Sequence, residues 1–516
     1  MSARKITGRC IGAAVLAGCL VQSALGAVAN APRVEGPIPV TATSHPFLGA
    51  AYQVEPTDLA KWGYVEEEYL VSGNASVYDY AADKSVKVIH AGASYVDRII
   101  VRRPKDMRRF NGRALVEMLN ASVGPDISFQ WSGSHDFLMS NGYVYVGVTS
   151  KPYSAEKLRQ FDPARYARIS WANPAPKQGC EKPGPWAQFP GWSTNATEDG
   201  LLWDIVAQVG VLLKTKDAAN PLHASPARRV FLSGHSQSGG YVGTFARDFQ
   251  DVLRMPDGSP IYDGFMQTGS AGLSMINQCS PTPSYDDPHM TMRSAMPLIR
   301  VMTLTDFYNY TPEIKNYRTR VKPDSDAPGD LFRLYEVAGA EHSAAAFFKY
   351  GAAMPADMIR AGNKPLERKR CLGTDYNPFE LGIVFDAALE SLDRWRDGTP
   401  PPHADRIVMD RPGDPDSKAT FDGHGNVQGG FRTPRLNVPV ASYYGKSIVE
   451  GDAARSCFNR GYSVAFDDAT LKTLYPTHAD YVAKVKASVA DLTAKRFLTR
   501  WDGQRIIAQA EQSTTP

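Results

Sequence analysis

The tightest constraint on the fold is a local one. Val230, Phe231 and Leu232 form an apolar run that leads without a break into Ser233, Gly234, His235, Ser236, Gln237, Ser238, Gly239 and Gly240. A β-branched and aromatic run followed by small residues predicts a strand that turns sharply into a helix, with Ser236 at the apex. Gly234 and Ser238, two positions to either side, let a strained turn close without crowding. At such an apex the hydroxyl projects beyond the carboxyl end of a sheet. The backbone N–H of Gln237 then faces any oxyanion formed there, which is the arrangement acyl transfer needs. The usual spelling is G-x-S-x-G, and Ser238 stands where the last glycine would be. Reading one step later makes Ser238 the nucleophile but shifts the turn off the strand end, so Ser236 is preferred. A Gly-rich turn opening a helix looks the same over so few residues, and the rest of the chain has to decide.

Strand and helix signals alternate through the middle of the chain. Tyr95 to Arg102 and Arg113 to Leu119 read as neighbouring strands, separated by the polar stretch Pro104 to Gly112. Phe129 to Asn141 reads as a helix ended by Gly142, and Tyr143 to Thr149 as a strand buried on both faces. Asp199 to Lys214 is an amphipathic helix, Val230 to Ser233 the strand before the serine, and Tyr241 to Leu253 the helix after it. Asp263 to Gly269, Leu298 to Thr305 and Leu331 to Val337 complete the strands, and Phe379 to Trp395 is a further helix. This alternation predicts an α/β fold: a mostly parallel, doubly wound sheet with helices on both faces. Residues 151–198 interrupt it with prolines and the aromatics Phe161, Tyr166, Trp171, Trp186, Phe189 and Trp192, either a lid or a surface excursion packing its rings on the domain. Residues 403–516 are a C-terminal extension over the core, with a late helix at Thr477 to Lys495.

A serine hydroxyl needs a histidine to take its proton and a carboxylate to orient that histidine. His342 follows the last predicted strand in Val337-Ala338-Gly339-Ala340-Glu341-His342, on a loop that can reach the turn; His289 is the reserve. His235, beside the serine, points the wrong way and reads as structural. Asp306 ends the strand Leu298 to Thr305 and gives the order serine, acid, histidine; Asp330 and Glu341 are the alternatives. The second oxyanion donor belongs in the loop Leu119 to Gly124, where Ala121 is the candidate N–H and Asn120 a side-chain contributor. The sequence carries no HExxH and no Walker loop, and Asp414, Asp416, Asp422 and Asn426 lack EF-hand spacing, so neither a metal nor a cofactor is expected.

Net charge is +3 in 516 residues, with no Lys/Arg run of five or more, which gives no footprint for nucleic acid. Arg4, Lys5 and Arg9 precede the apolar run Cys10 to Val21 and the small residues Ala24 to Ala29, the pattern of a secretory signal peptide over residues 1–29. The run is too short to span a membrane, so no transmembrane segment is expected. The expected location is secreted or periplasmic. Leu16-Ala17-Gly18-Cys19 is also compatible with a lipoprotein anchored through Cys19, although the residues after it stay apolar. Four cysteines remain beyond the signal, Cys180, Cys279, Cys371 and Cys457. Three disulfide pairings are possible, of which proximity favours Cys180 with Cys279 and Cys371 with Cys457.

Taken together, Asn111 to Asn120, Asn141 to Val148, the Gly234 to Gly240 turn, Leu392-Asp393-Arg394-Trp395 with Gly398 to Pro401, and Gly425 to Pro434 make the chain resemble the α/β-hydrolase superfamily. Within it the chain is similar to a bacterial, mostly secreted group known as α/β-hydrolase domain proteins, over roughly residues 35 to 505. The resemblance implies a Ser236, Asp306, His342 triad and one catalytic domain over 30–516 whose C-terminal segment belongs to the core. It implies no substrate. The function expected is a secreted serine hydrolase acting on a small-molecule carboxylic ester. An amidase or peptidase using the same triad, or a catalytically silent binding protein of the same fold, is the alternative.

Overall fold

The structure is a computed structural model of the chain and describes residues 27–180, 195–223, 225–281, 283, 287, 291–309, 322–367, 375–414, 416–446 and 459–515. Its centre is a sheet of ten strands: β1 (Arg33–Glu35), β2 (Tyr64–Tyr80), β3 (Val86–Pro104), β4 (Arg113–Met118), β5 (Val144–Val148), β6 (Arg229–His235), β7 (Gly264–Thr268), β8 (Leu298–Thr303), β9 (Ser325–Ala327) and β10 (Asp330–Val337). The spatial order is β9-β10-β8-β7-β6-β4-β5-β3-β2-β1. Strands β10, β8, β7, β6, β4 and β5 are mutually parallel. Antiparallel strands finish both sides.

The parallel strands are those whose sequences are nearly unbroken apolar runs. Val144–Val148 is buried at every position, and so is Arg229–His235 after its first residue. Burial on both faces is the condition a parallel sheet requires, and helices supply the cover. These are α1 (Gln130–Ser140), α2 (Pro152–Phe161), α3 (Leu202–Lys214), α4 (Gln237–Thr244), α5 (Leu304–Asn309), α6 (Ala345–Tyr350), α7 (Gly382–Arg396), α8 (His478–Ala494) and α9 (Arg500–Gln512). Helices α1 and α7 cross at Gly133 and Gly382, where a Cβ on Gly382 would meet the carbonyl oxygen of Gly133 at 1.9 Å. Only a glycine permits that backbone approach.

The antiparallel side differs from the sequence expectation. The strands read at Tyr95 to Arg102 and Arg113 to Leu119 are not neighbours, because β5 lies between β3 and β4, pairing Ile99 with Val148 and Ala114 with Val144. The polar link before β4 looks like a hairpin turn, but the crossover through α1 returns β5 into the gap. On its other edge β3 pairs with β2, from Tyr64 opposite Pro104 to Tyr80 opposite Val86. Glu66, Glu67 and Glu68 on β2 are matched by Arg102, Arg103 and Arg98 on β3 at 2.7, 2.9 and 2.7 Å.

Phe161, Tyr166 and Trp171, from the aromatic segment 151–198, are buried. The Tyr166 hydroxyl donates to Glu68 at 2.7 Å and the Trp171 indole N–H to Asp97 at 3.1 Å. Trp186, Phe189 and Trp192, in the expected lid, lie outside the described residues. A disulfide joins Cys180 within that segment to Cys279, as proximity favours. Cys371 and Cys457 lie outside the described residues, as do Cys19 and most of the expected signal segment. The description begins where Ala27–Val28 pairs in parallel with Leu253–Arg254. Among the described residues no helix is long and apolar enough to cross a membrane.

On either side of α7 in the chain, β11 (Asp375–Tyr376), β12 (Ala441–Tyr444) and β13 (Tyr462–Ala465) form a small antiparallel sheet. Ile407, Val427, Phe431, Leu436 and Tyr443 are buried in the same apolar core as the large sheet, and Phe431 bridges to Val337 at the end of β10. Helices α8 and α9 contribute Val485, Val489, Leu492 and Ala510 to a second cluster.

Candidate active site

Ser236 is the first residue beyond β6 and the residue preceding α4, with φ 58° and ψ −118°. A non-glycine residue at positive φ costs of order 1–3 kcal/mol, which the surrounding contacts must hold in place. Its own N–H is bonded to the carbonyl of Thr268 on β7 at 2.9 Å. A side chain at Gly234 would come within 2.6 Å of the Ser238 carbonyl, so the glycine two before Ser236 is required by the turn. Ser238 is fully buried, and its Oγ accepts from the His235 N–H and reaches the His235 carbonyl, both at 3.1 Å. Its hydroxyl is thereby spent on bracing the turn, while Ser236 keeps partial exposure.

Strand β8 ends at Thr303, two residues short of the expected boundary, and Asp306 sits in the first turn of α5 rather than at a strand end. The reason is a reciprocal cap. The Asp306 N–H donates to Thr303 Oγ1 at 3.2 Å, and Asp306 Oδ2 accepts from the Thr303 N–H at 2.7 Å and its hydroxyl at 2.8 Å. The other oxygen, Oδ1, faces His342 Nδ1 at 2.6 Å. Burial opposes ionisation of Asp306, but the His342 ring and the Thr303 donors outweigh it and hold the carboxyl below its ordinary value. With Nδ1–H given to Asp306, Nε2 is the ring nitrogen of His342 left to accept a proton.

His342 is also fixed through its backbone. Its N–H donates to Thr305 Oγ1 at 2.9 Å, and Thr305 in turn donates to the Gly445 carbonyl. Its carbonyl accepts from His235 Nε2 at 3.0 Å. A carbonyl only accepts, so His235 carries its proton on Nε2, and Nδ1 accepts from the Thr268 hydroxyl at 2.9 Å. Thr268 Oγ1 accepts from Gln130 Nε2 at 3.0 Å. Burial, followed by the nearby charge of His342, pushes the His235 pKa down to about 3, which keeps the ring neutral. His235 therefore links the His342 carbonyl to Thr268 on β7. It lies between the Phe129 ring, 4.1 Å away and stacked, and the His342 ring at 4.6 Å.

The loop after β4 stands beside the turn. Asn120 donates its amide to the His235 carbonyl at 2.7 Å and accepts from the Ser122 N–H at 2.7 Å, so its side chain braces the loop instead of facing a reacting group. The Ala121 N–H points at the Gln237 side chain, whose Oε1 accepts at 3.1 Å. Behind this loop, Ile127, Phe129 and Phe347 form a small apolar cluster with Val123, Phe348 and Leu366. The alternative acids are engaged elsewhere: Asp330 pairs with Lys322 at 2.7 Å, and Glu341 accepts from the Gly461 N–H at 2.7 Å. His289 lies outside the described residues. Of the predicted residues, Asp306 and His342 are in direct contact, Ala121 touches Gln237, and Ser236 adjoins the pair through His235. Thr303, Thr305, Thr268 and Gln130 went unread. Thr303-x-x-Asp306 was legible as a capping box, whereas the others are joined only by folding.

Parallel strands in the order found here, with a serine turn after β6, an acid after β8 and a histidine after β10, define the α/β-hydrolase class. The chain belongs to the family described as alpha/beta hydrolase domain, whose profile matches residues 34–508. Comparison with the curated proteins gives no match. Among solved structures, the chain is similar to a putative dienelactone hydrolase from Klebsiella pneumoniae at 12% identity and a TM-score of 0.27, covering 57% of this chain and 95% of that one. Esterase 2 of Thermogutta terrifontis, phosphoramylated by tabun, is similar at 11% identity and TM-score 0.28, covering 56% and 90%. The glucuronoyl esterase of Solibacter usitatus is similar at 11% identity and TM-score 0.25, covering 56% and 86%.

Proposed function

We propose that this protein is a secreted serine hydrolase of carboxylic esters. The observation that carries the reading is the Asp306–His342 contact at 2.6 Å next to a serine held at positive φ on the end of a parallel strand. In this reading Ser236 Oγ bonds to the ester carbonyl carbon while its proton passes to His342 Nε2. The N–H groups of Gln237 and Ala121 hold the oxyanion. Collapse breaks the bond to the alcohol, which leaves with the proton from His342. Water, deprotonated by the same imidazole, then releases the acid. The disulfide supports an oxidising compartment.

Fluorophosphonate labelling tests the nucleophile. The full chain should label, and Ser236→Ala should not. Absence of labelling in the parent protein would leave a catalytically silent fold. Matched p-nitrophenyl esters and anilides test the leaving group, with faster release expected from the esters; a preference for anilides would make the enzyme an amidase.

A further inference from the structure

The N–H of Ala121, the second oxyanion donor in the reading above, already has a partner. It donates to Oε1 of Gln237 at 3.1 Å. The amide orientation follows from chemistry, since a backbone donor must face the oxygen and not the nitrogen of the side chain. That choice leaves Gln237 Nε2 buried and without a hydrogen-bond partner among the described residues. In that reading the residue following the nucleophile acts on the oxyanion hole in two opposed ways: its backbone N–H, at the start of α4, is one donor, and its side-chain carbonyl occupies the other.

We infer that the Gln237 side chain is a plug for the oxyanion hole, standing in for the substrate carbonyl in the free enzyme and displaced by it on binding. The geometry makes the plug weak. One end of the amide gains a hydrogen bond, while the other is held out of water with its donors unused, so the plugged state recovers only part of its desolvation cost. A substrate carbonyl replaces Oε1 on Ala121 and frees the amide to turn toward solvent, which Gln237 partly reaches. The Ala121 donor stays paired in the empty site, and the enzyme loses some affinity for substrates whose carbonyl is a poor acceptor.

This inference rests on Ser236 and Ala121 forming the hydrolytic site, and the test separates the two. The readout is the second-order rate of fluorophosphonate labelling. In that reaction the Ser236 Oγ–P bond forms, P–F breaks, fluoride leaves, His342 takes the proton, and the phosphoryl oxygen enters the hole. Gln237→Met keeps the length of the side chain but offers only a weakly accepting thioether. It should label faster by about threefold to tenfold, the equivalent of one net hydrogen bond, and should lower KM for an ester. Gln237→Glu places a stronger acceptor on Ala121 and should label slower than the parent at pH 8. Gln237→Ala provides a second unplugged variant if the methionine form has a lowered melting temperature. Labelling of a folded Gln237→Met at or below the parent rate would overturn the plug while leaving the Ser236 reading intact. No labelling of the parent protein, or equal labelling of Ser236→Ala, would remove both.

Discussion

Asp306 divides its two oxygens between two jobs, one closing the cap with Thr303 and the other meeting His342. An asparagine at 306 can satisfy the cap through its oxygen but then presents an amide N–H to Nδ1, which forces the proton of His342 onto Nε2 and removes the base. Asp306→Asn should keep the fold and lower kcat by about four orders of magnitude, as measured by ester turnover beside a circular-dichroism melt. A loss under tenfold would detach Asp306 from the chemistry. Ser236, Asp306 and His342 stood out as candidates because each comes shortly after an apolar strand run. The Gln237 side chain was not, since its contact with Ala121 joins residues more than a hundred positions apart that become neighbours only when β4 lies beside β6.

Helices α7 and α9 meet through two carboxyls. Burial, reinforced by Asp502, raises Asp386 well above the ordinary aspartate range, and Asp502 is pushed up to about 6 by burial against the pull of Thr499 and Arg505. The native state therefore binds protons more tightly than the unfolded chain. Their contribution to stability is complete below the unfolded value of about 4 and is lost as pH rises through the folded values. Asp386→Asn mimics the protonated acid. It should melt like the parent at pH 4 and above it at alkaline pH, the gap widening by up to about 1.4 kcal/mol for each pH unit. A gap independent of pH would remove the carboxyl pair as its cause. At this scale the parallel strands were readable from their unbroken apolar runs. Strand β2 was not, because Glu66, Glu67 and Glu68 look like a solvated stretch until Arg98, Arg102 and Arg103, some thirty residues later, are placed beside them.

At the scale of the whole molecule, the disulfide found among the described residues is a covalent link between residues 99 positions apart. A closed loop of that length restricts the unfolded chain, and loss of the bridge in Cys279→Ser should cost about 2–4 kcal/mol, read from chemical denaturation with and without reductant. Unchanged midpoints would mean that the bridge leaves the unfolded ensemble as it was. That bridge was legible only as one of three pairings, since sequence proximity ranks the options without bringing the two thiols together.

The ten-stranded sheet ends at both sides in a strand of three residues, Arg-Val-Glu at β1 and Ser-Asp-Ala at β9. Each is short and carries charge, which leaves little exposed backbone for another chain to pair with. A neighbouring molecule that met the sheet at β1 or β9 would find only three residues of strand, with charge among them, to add to, too short a template for a further ladder.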